Sequence, residues 1–353
     1  MKNNISFNNV SRSLPEFDSH NSVLFIYNAK AKLRGYIAFH RGGFTRPSFG
    51  ATRLLEYDTE LDALKDALQL SRLMSYKNAL AGLPYGGAKA VLMKPKKGTY
   101  KKSVLLAEYT RHVERLKGAF ITGTDVGLTI DDLKIMFEKT KNLVGLTNNP
   151  EKATALGLYY SMESVAKFIT GKRKIDGFSF AIQGAGKVGS EIIELIYKKA
   201  SLIYVSEINK EKLKILKRKY PKIIIVDPKK IHQQKVDIFC PCALSNVLNS
   251  KSINQINAKA IVGSANNQLK SIEVGETLHR LGIIYCPDYV VNAGGLIAVA
   301  DEYQNKKPGG KKLEEDLKGI GTRMDKILSL SKKIKKAPVL IANEMAEKIF
   351  AQQ

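Results

Sequence analysis

The chain has no tryptophan, only three cysteines and five histidines, and no apolar stretch of membrane-spanning length. Each shortage excludes something. Three cysteines, Cys240, Cys242 and Cys286, are too few and odd in number for a disulfide framework, so a reducing, cytoplasmic setting is expected. The histidines show no ligand spacing, and Cys240 and Cys242 are separated by a single residue, so no metal site is expected. Without about 18 consecutive apolar residues there is no candidate membrane helix. The start, "MKNNISFNNVSRSLPEF", also lacks the apolar centre of a secretion signal. No GxSxG sequence supports a serine hydrolase.

What is present belongs to a globular protein. Hydrophobic residues make up 44% and charged residues 25% of 353 positions, enough for two cores rather than one. Basic residues outnumber acidic ones by 57 to 33, a formal charge of +24 that raises nucleic acid or another anionic polymer as a partner. The lysines, however, fall in scattered clumps such as "KPKKGTYKK", "KRKY", "NKKPGGKK" and "KKIKK", with few aromatic residues between them to stack on bases. A solvated lysine-rich surface is the expectation, with nucleic acid not the main role. The competing reading is a catalytically degenerate protein that binds an anionic polymer.

The texture of the sequence changes near "TNNP". Before it, runs such as "SVLFIYNA" and "GYIAFH" surround one periodic helix that begins near "YDTELDALKDALQL", where Asp58 or Thr59 can cap the first turn. Leu61, Leu64 and Leu68 mark an apolar stripe, and Leu70, Leu73, Met74 and Lys77 continue it, so Lys77 stands where a core residue is expected. After it, a helix from about Ala153 to Thr170 precedes "FSFAIQ", "LIYVSEIN", "KIIIVD", "VDIFCPCA" and "AIVGSANNQ", which alternate with helical segments. That alternation predicts a parallel sheet with helices on both faces. The expected α/β architecture is therefore an N-terminal substrate domain over 1–148, a Rossmann-like doubly wound domain over 149–328 and a helical segment over 329–353.

The clearest motif is "FAIQGAGKVGSE". Gly184, Gly186 and Gly189 follow an apolar strand and open a helix, so the backbone can turn tightly and bring a helix N-terminus to a pyrophosphate. Ala185, Lys187 and Val188 complete this candidate dinucleotide loop, and Val188 in place of Ser or Thr excludes a Walker loop. Glu207 ends the next strand about twenty residues on, where a carboxylate accepts ribose hydroxyls and favours NAD over NADP. Lys210 and Lys212 stand close enough to blunt that preference.

In the first domain, "GLPYGGAKAVL" reads as a loop almost bare of side chains, with Lys89 its single charge. A lysine held in a desolvated site near a second cation gives up its proton more easily, which makes Lys77 and Lys89 an informative pair. Asp125, in "FITGTDVGLT", occupies another glycine-flanked turn after an apolar strand.

Together "YKNALAGLPYGGAK", "GTDVGLT", "GAGKVG", "DIFCPCAL", "GSANNQL" and "PDYVVNAGG" resemble, in order and approximate spacing, the amino-acid dehydrogenase family of the leucine, valine, phenylalanine and glutamate enzymes. The pattern is nearest to the leucine and phenylalanine branch. The resemblance implies NAD-dependent oxidative deamination of an L-amino acid to a 2-oxo acid and ammonium, in a homo-oligomer, with the active site in a cleft between domains. It implies that Lys77 pairs with the substrate carboxylate, that neutral Lys89 activates water, and that Asp125 shuttles protons to and from the amine. Asn267 resembles a residue near substrate and nicotinamide, and Thr154 and Asn292 resemble cofactor contacts. The side-chain pocket implied by the resemblance includes Phe49, Gly50, Gly123, Leu296 and Val299. Phe49 stands where the glutamate branch has a lysine, which favours an apolar substrate. Gly123 and Leu296 resemble the phenylalanine enzymes, and Ala51 departs from the family's second glycine.

Overall fold

The computed structural model describes residues 14–146, 149–305 and 308–352. The amino-terminal segment through Ser13, Asn148 at the expected domain boundary and part of "NKKPGGKK" lie outside the described residues. The chain forms two compact units, Met1–Asn148 with Glu302–Lys306, and Asn149–Asp301 with Lys307–Gln353.

The first unit is built on a mixed sheet. β1 (Ser22–Asn28) and β2 (Leu33–Arg41) form an antiparallel pair, followed by β3 (Ser48–Phe49), β4 (Thr52–Leu55) and the long helix α1 (Glu60–Ala81). Then come β5 (Gly86–Met93), α2 (Lys102–Arg115), β6 (Phe120–Ile121) and α3 (Ile130–Phe137). The sheet order is β1-β2-β5-β3-β6, with β4 also paired to β5. β5 is the central strand, antiparallel to β2 and parallel to β3 and β4. One face carries Ile37, Phe39, Leu92, Tyr109, Phe120 and Met136; the other receives α1.

Helix α1 starts at Thr59, whose side chain accepts from the Asp62 N–H, and ends at Gly82 in the left-handed region. Its buried stripe differs from the leucine stripe expected. Leu61 is exposed and Leu64, Leu73 and Met74 are half-buried, while Ala63, Ala67, Leu68, Leu70, Ser71, Ser75 and Ala79 face inward. Small side chains allow the helix to lie close against the sheet. The same closeness corrects the reading of "GGAK". Residues Gly86–Met93 are a strand rather than a loop, and a Cβ at Gly87 would fall 2.0 Å from the Ser75 nitrogen of α1. At Gly86 it would fall 1.8 Å from the Arg41 carbonyl oxygen, so these glycines admit neighbouring backbone.

The second unit opens with α4 (Pro150–Thr170), capped by Asn149 and with Pro150 in the first turn. There follow β7 (Ser179–Gln183), α5 (Lys187–Ile196), β8 (Leu202–Ser206), α6 (Lys210–Lys219), β9 (Ile224–Ile225), β10 (Val236–Pro241) and β11 (Ala258–Ile261). After these come α7 (Ile272–Arg280), β12 (Ile284–Tyr285), α8 (Asp288–Val291), α9 (Gly294–Gln304), α10 (Gly310–Ile334) and α11 (Pro338–Ala351). The six strands run parallel in the order β12-β11-β10-β7-β8-β9. This is the doubly wound order, whose ligand crevice lies where the strand sequence reverses, between β7 and β10. Residues 328 and 329 both lie inside α10, and the last turn of α9 counts with the first unit. No helix among the described residues is long and apolar enough to cross a membrane.

Candidate active site

In the first unit the structure brings Lys89 and Asp125 together. Lys89 sits on the central strand and is 5% exposed, and its Nζ lies 2.6 Å from Asp125 Oδ2. Asp125 is placed by the turn after β6, where its N–H donates to the Thr52 carbonyl. Burial pushes the Lys89 amine below the usual lysine range, and the Asp125 carboxylate pushes back. Burial alone would raise Asp125, but the Lys89 and Arg53 cations overcome it and hold the carboxyl well below its usual range. A further cation, Arg53, stands at the pair: its Nε donates to the same Asp125 oxygen at 3.1 Å. Lys77 is half-buried on α1, less enclosed than its place in the pattern suggested. Next to it, buried Asn78 donates to the carbonyls of Gly86 at 2.8 Å and Phe49 at 3.3 Å, tying α1 to β5 and β3.

The pocket residues expected in this unit, Phe49, Gly50 and Gly123, lie among closely packed neighbours. Phe49 has no exposed surface, because β3 is an interior strand and Tyr85 and Tyr303 pack their rings on it at 4.4 and 5.6 Å. Tyr303 is the most open of the three, at 38%. At Gly50 a Cβ would fall 1.9 Å from the Ala88 carbonyl oxygen, so this glycine is required by the strand beside it. A methyl at Gly123 would meet the Val144 carbonyl oxygen at 3.0 Å and its Cγ2 at 3.4 Å, so Val144 already backs that position.

In the second unit the glycine loop lies at the switch point. Gly184 has φ +91°, and a Cβ there would press on Ala243, in the segment after β10, at 2.7 Å. A Cβ at Gly189 would fall 2.0 Å from the Gly184 carbonyl oxygen, whereas one at Gly186 would meet nothing within 4 Å. The loop therefore closes on itself below and stays open above, at the start of α5, which has no side-chain cap. Ala185 is buried, Val188 half-buried, and exposed Lys187 pairs with Glu151 of α4 at 2.6 Å. Glu207 accepts from the Ala185 and Asn209 N–H groups, each at 3.0 Å, which fixes its carboxylate between loop and α6.

Asn292 is buried, its Nδ2 donating to Ser264 O and Asn266 Oδ1 at 3.1 and 2.9 Å. Its Oδ1 is buried without a hydrogen-bond partner among the described residues, an acceptor suited to a ligand amide. Thr154 Oγ1 accepts from the Gly295 N–H at 3.0 Å and so joins α4 to α9. Asn267 is half-buried with φ +52°, in a loop held by Gln268, whose side chain donates to the Gly263 and Ala265 carbonyls. Leu296, buried, and Val299, half-buried, stand three apart on α9. An open cradle at a helix N-terminus, a fixed carboxylate and an orphaned amide acceptor fit a dinucleotide. Among the described residues no cluster of three His, Cys, Asp or Glu side chains could hold a metal ion.

Arg53 and Asp66 lie outside the motifs that carry the resemblance, and Asn78 and Gln268 lie inside them without having been singled out. Arg53 reaches Asp125 from 72 residues away, a pairing that local spacing does not reveal.

A doubly wound unit with a glycine loop at its switch point and a mixed-sheet unit with a buried lysine–carboxylate pair, in one chain, define a two-domain α/β protein of the dehydrogenase class. Comparison narrows the class. The sequence model described as Glutamate/Leucine/Phenylalanine/Valine dehydrogenase matches residues 145–348, and that of the Glu/Leu/Phe/Val dehydrogenase dimerisation domain matches 26–142. The leucine dehydrogenase of Geobacillus stearothermophilus is 36% identical over 337 residues, 93% of this chain and 90% of that one. The phenylalanine dehydrogenase of Bacillus thermotolerans is 37% identical over 297 residues, 81% of this chain and 77% of that one. The crystal structure of L-tryptophan dehydrogenase from Nostoc punctiforme superposes with a TM-score of 0.84 at 34% identity, covering 98% of this chain and 99% of that one. The chain belongs to the Glu/Leu/Phe/Val dehydrogenase family, in its leucine and phenylalanine branch.

Proposed function

We propose that this protein catalyses the NAD-dependent oxidative deamination of a large apolar L-amino acid, of the leucine, valine, isoleucine or phenylalanine type, to its 2-oxo acid and ammonium. The observation that carries the reading is the buried Lys89–Asp125 pair. A lysine whose ammonium is disfavoured by burial can act as a base near neutral to alkaline pH. Lys89 then takes a proton from water as that water attacks the iminium carbon of the substrate, while Asp125 exchanges protons with the departing amine. Lys77 pairs with the substrate carboxylate. Bound at the glycine loop, NAD supplies the hydride acceptor; Gly184 to Gly189 would hold its pyrophosphate, Glu207 its ribose hydroxyls, and Thr154, Asn267 and Asn292 its nicotinamide end.

The choice of an apolar substrate is supported by the ring cluster of Phe49, Tyr85 and Tyr303, which offers no cation to a distal carboxylate. The relatives named for leucine, phenylalanine and tryptophan also point to large side chains. The reading places the protein in the cytoplasm as a homo-oligomer; its three cysteines are free thiols. Absorbance of NADH at alkaline pH with a panel of L-amino acids tests it. Leucine, isoleucine, valine or phenylalanine should exceed alanine and glutamate by a wide margin, and no reduction with any of them would overturn the proposal.

A further inference from the structure

Arg53 connects the Lys89–Asp125 pair to the rest of the first unit. It lies on β4, in parallel register with β5, the strand of Lys89, and its side chain is 16% exposed. Its Nε donates to Asp125 Oδ2 at 3.1 Å, the oxygen that Lys89 Nζ meets at 2.6 Å. Its Nη1 donates to both oxygens of Asp66 on α1, at 2.9 and 3.2 Å, and the Tyr57 hydroxyl donates to Asp66 Oδ2. Lys89, Asp125, Arg53 and Asp66 thus form a line of alternating charge drawn from β5, the turn after β6, β4 and α1. Tyr57, between β4 and α1, closes it.

We propose that Arg53 is a positioning residue for the Lys89–Asp125 pair: its guanidinium, divided between Asp125 and Asp66, holds Oδ2 at Lys89 and tempers the negative charge that the lysine faces. A buried lysine beside an unshared carboxylate would be held as an ammonium, unable to serve as a base. Arginine keeps its charge throughout the working pH range and spans two carboxylates in a fixed plane, which lysine cannot do. Asp66 sets how much of that charge reaches Asp125. Foremost among the charged groups bearing on Lys89 are Asp125 and Asp66, which favour its ammonium form, and Arg53, which opposes it. Removal of Arg53 and removal of Asp66 therefore act on Lys89 with opposite sign, a signature that loss of packing alone would not produce. The use of this balance in turnover rests on the reading of Lys89 as the base.

The test is the titration of Lys89 in the full-length protein, followed by NMR of lysine carrying 13C at Cε and assigned by the signal lost in Lys89→Met. Arg53→Gln should raise the midpoint by about one pH unit. Asp66→Asn should lower it, and Arg53→Lys should fall between Arg53→Gln and the unmodified protein. An unchanged midpoint in folded Arg53→Gln overturns the inference. If that variant does not fold, Asp66→Asn decides, and a midpoint that stays or rises overturns it. The ascending limb of kcat/KM for deamination, measured in parallel, should move with the NMR midpoint. If the midpoint moves and the limb stays, Arg53 keeps the role inferred here and Lys89 loses its role as base.

Discussion

The two units prepare their sites with different parts of the chain. The first uses side chains: Lys89, Asp125, Arg53 and Asp66 carry formal charge into a region of low exposure and are stable there because each faces an opposite charge. The second uses backbone: glycines, the uncapped start of α5 and N–H groups that fix one carboxylate. A side-chain site is sensitive to which atoms titrate. A backbone site is sensitive to added atoms of any kind.

The largest effect expected from this contrast is at Lys89. Lys89→Met removes the ammonium and leaves Asp125 with Arg53, so kcat for deamination should fall about a thousandfold or more while NADH binding, measured by fluorescence, persists. Turnover within tenfold of the unmodified protein would mean that the buried pair is structural. Next come two alanine substitutions in the glycine loop, which should separate folding from binding. Gly189→Ala drives a methyl into the Gly184 carbonyl and should cost about 1–3 kcal/mol of stability in urea denaturation. Gly186→Ala meets nothing within 4 Å, so stability should hold while NAD affinity drops about tenfold. Equal losses of stability in the two variants would contradict the open-cradle geometry.

A smaller effect concerns acid. In the first unit His40 has no exposed surface, lies against His20 with ring centroids 4.9 Å apart, and meets Asp18 at 3.4 Å. Burial, with Arg41 and His20 adding to it and Asp18 opposing it, pushes its imidazole down to about 3. His40 is therefore neutral in the fold, while in the unfolded chain it takes up a proton near pH 6.5. Its contribution is intact above pH 6.5 and declines as pH falls from there toward 3, by up to ~1.4 kcal/mol per pH unit. Urea midpoints at pH 7.5 and 5 should differ accordingly, and His40→Gln should reduce the difference; midpoints independent of pH across that interval would refute the assignment. The smallest effect is expected at Glu207. Glu207→Gln keeps one carbonyl acceptor for the loop and removes the charge that would repel a 2′-phosphate, so the preference for NAD over NADP should narrow severalfold. Equal kcat/KM with both cofactors before substitution would remove Glu207 from the cofactor site.

The second unit was the more legible in sequence. Its strands are short apolar runs, its loop is a local motif, and Glu207 follows at a fixed spacing, so neighbours along the chain are also neighbours in space. In the first unit "GGAK" resembled a loop because glycine usually marks one, yet it opens a strand that is buried along almost its whole length. The glycines answer to Ser75 and Arg41, far away in sequence. Helix α1 misled in the same way. Its leucines suggested the buried face, but a close helix-to-sheet approach selects alanine and serine there and leaves Leu61 exposed.

By itself the sequence determined the doubly wound sheet, the glycine loop, the family and the residue types from which the proposed site is built. Those features follow from periodicity and from motifs in which the chemistry is written within a few residues. Only the tertiary structure decided that Lys89 is enclosed on a central strand, that Arg53 stands at its carboxylate partner, and that Phe49 packs against two tyrosines. Charge balance and burial depend on distances between segments that are far apart along the chain, and those distances exist only once the sheet and its helices have closed on one another.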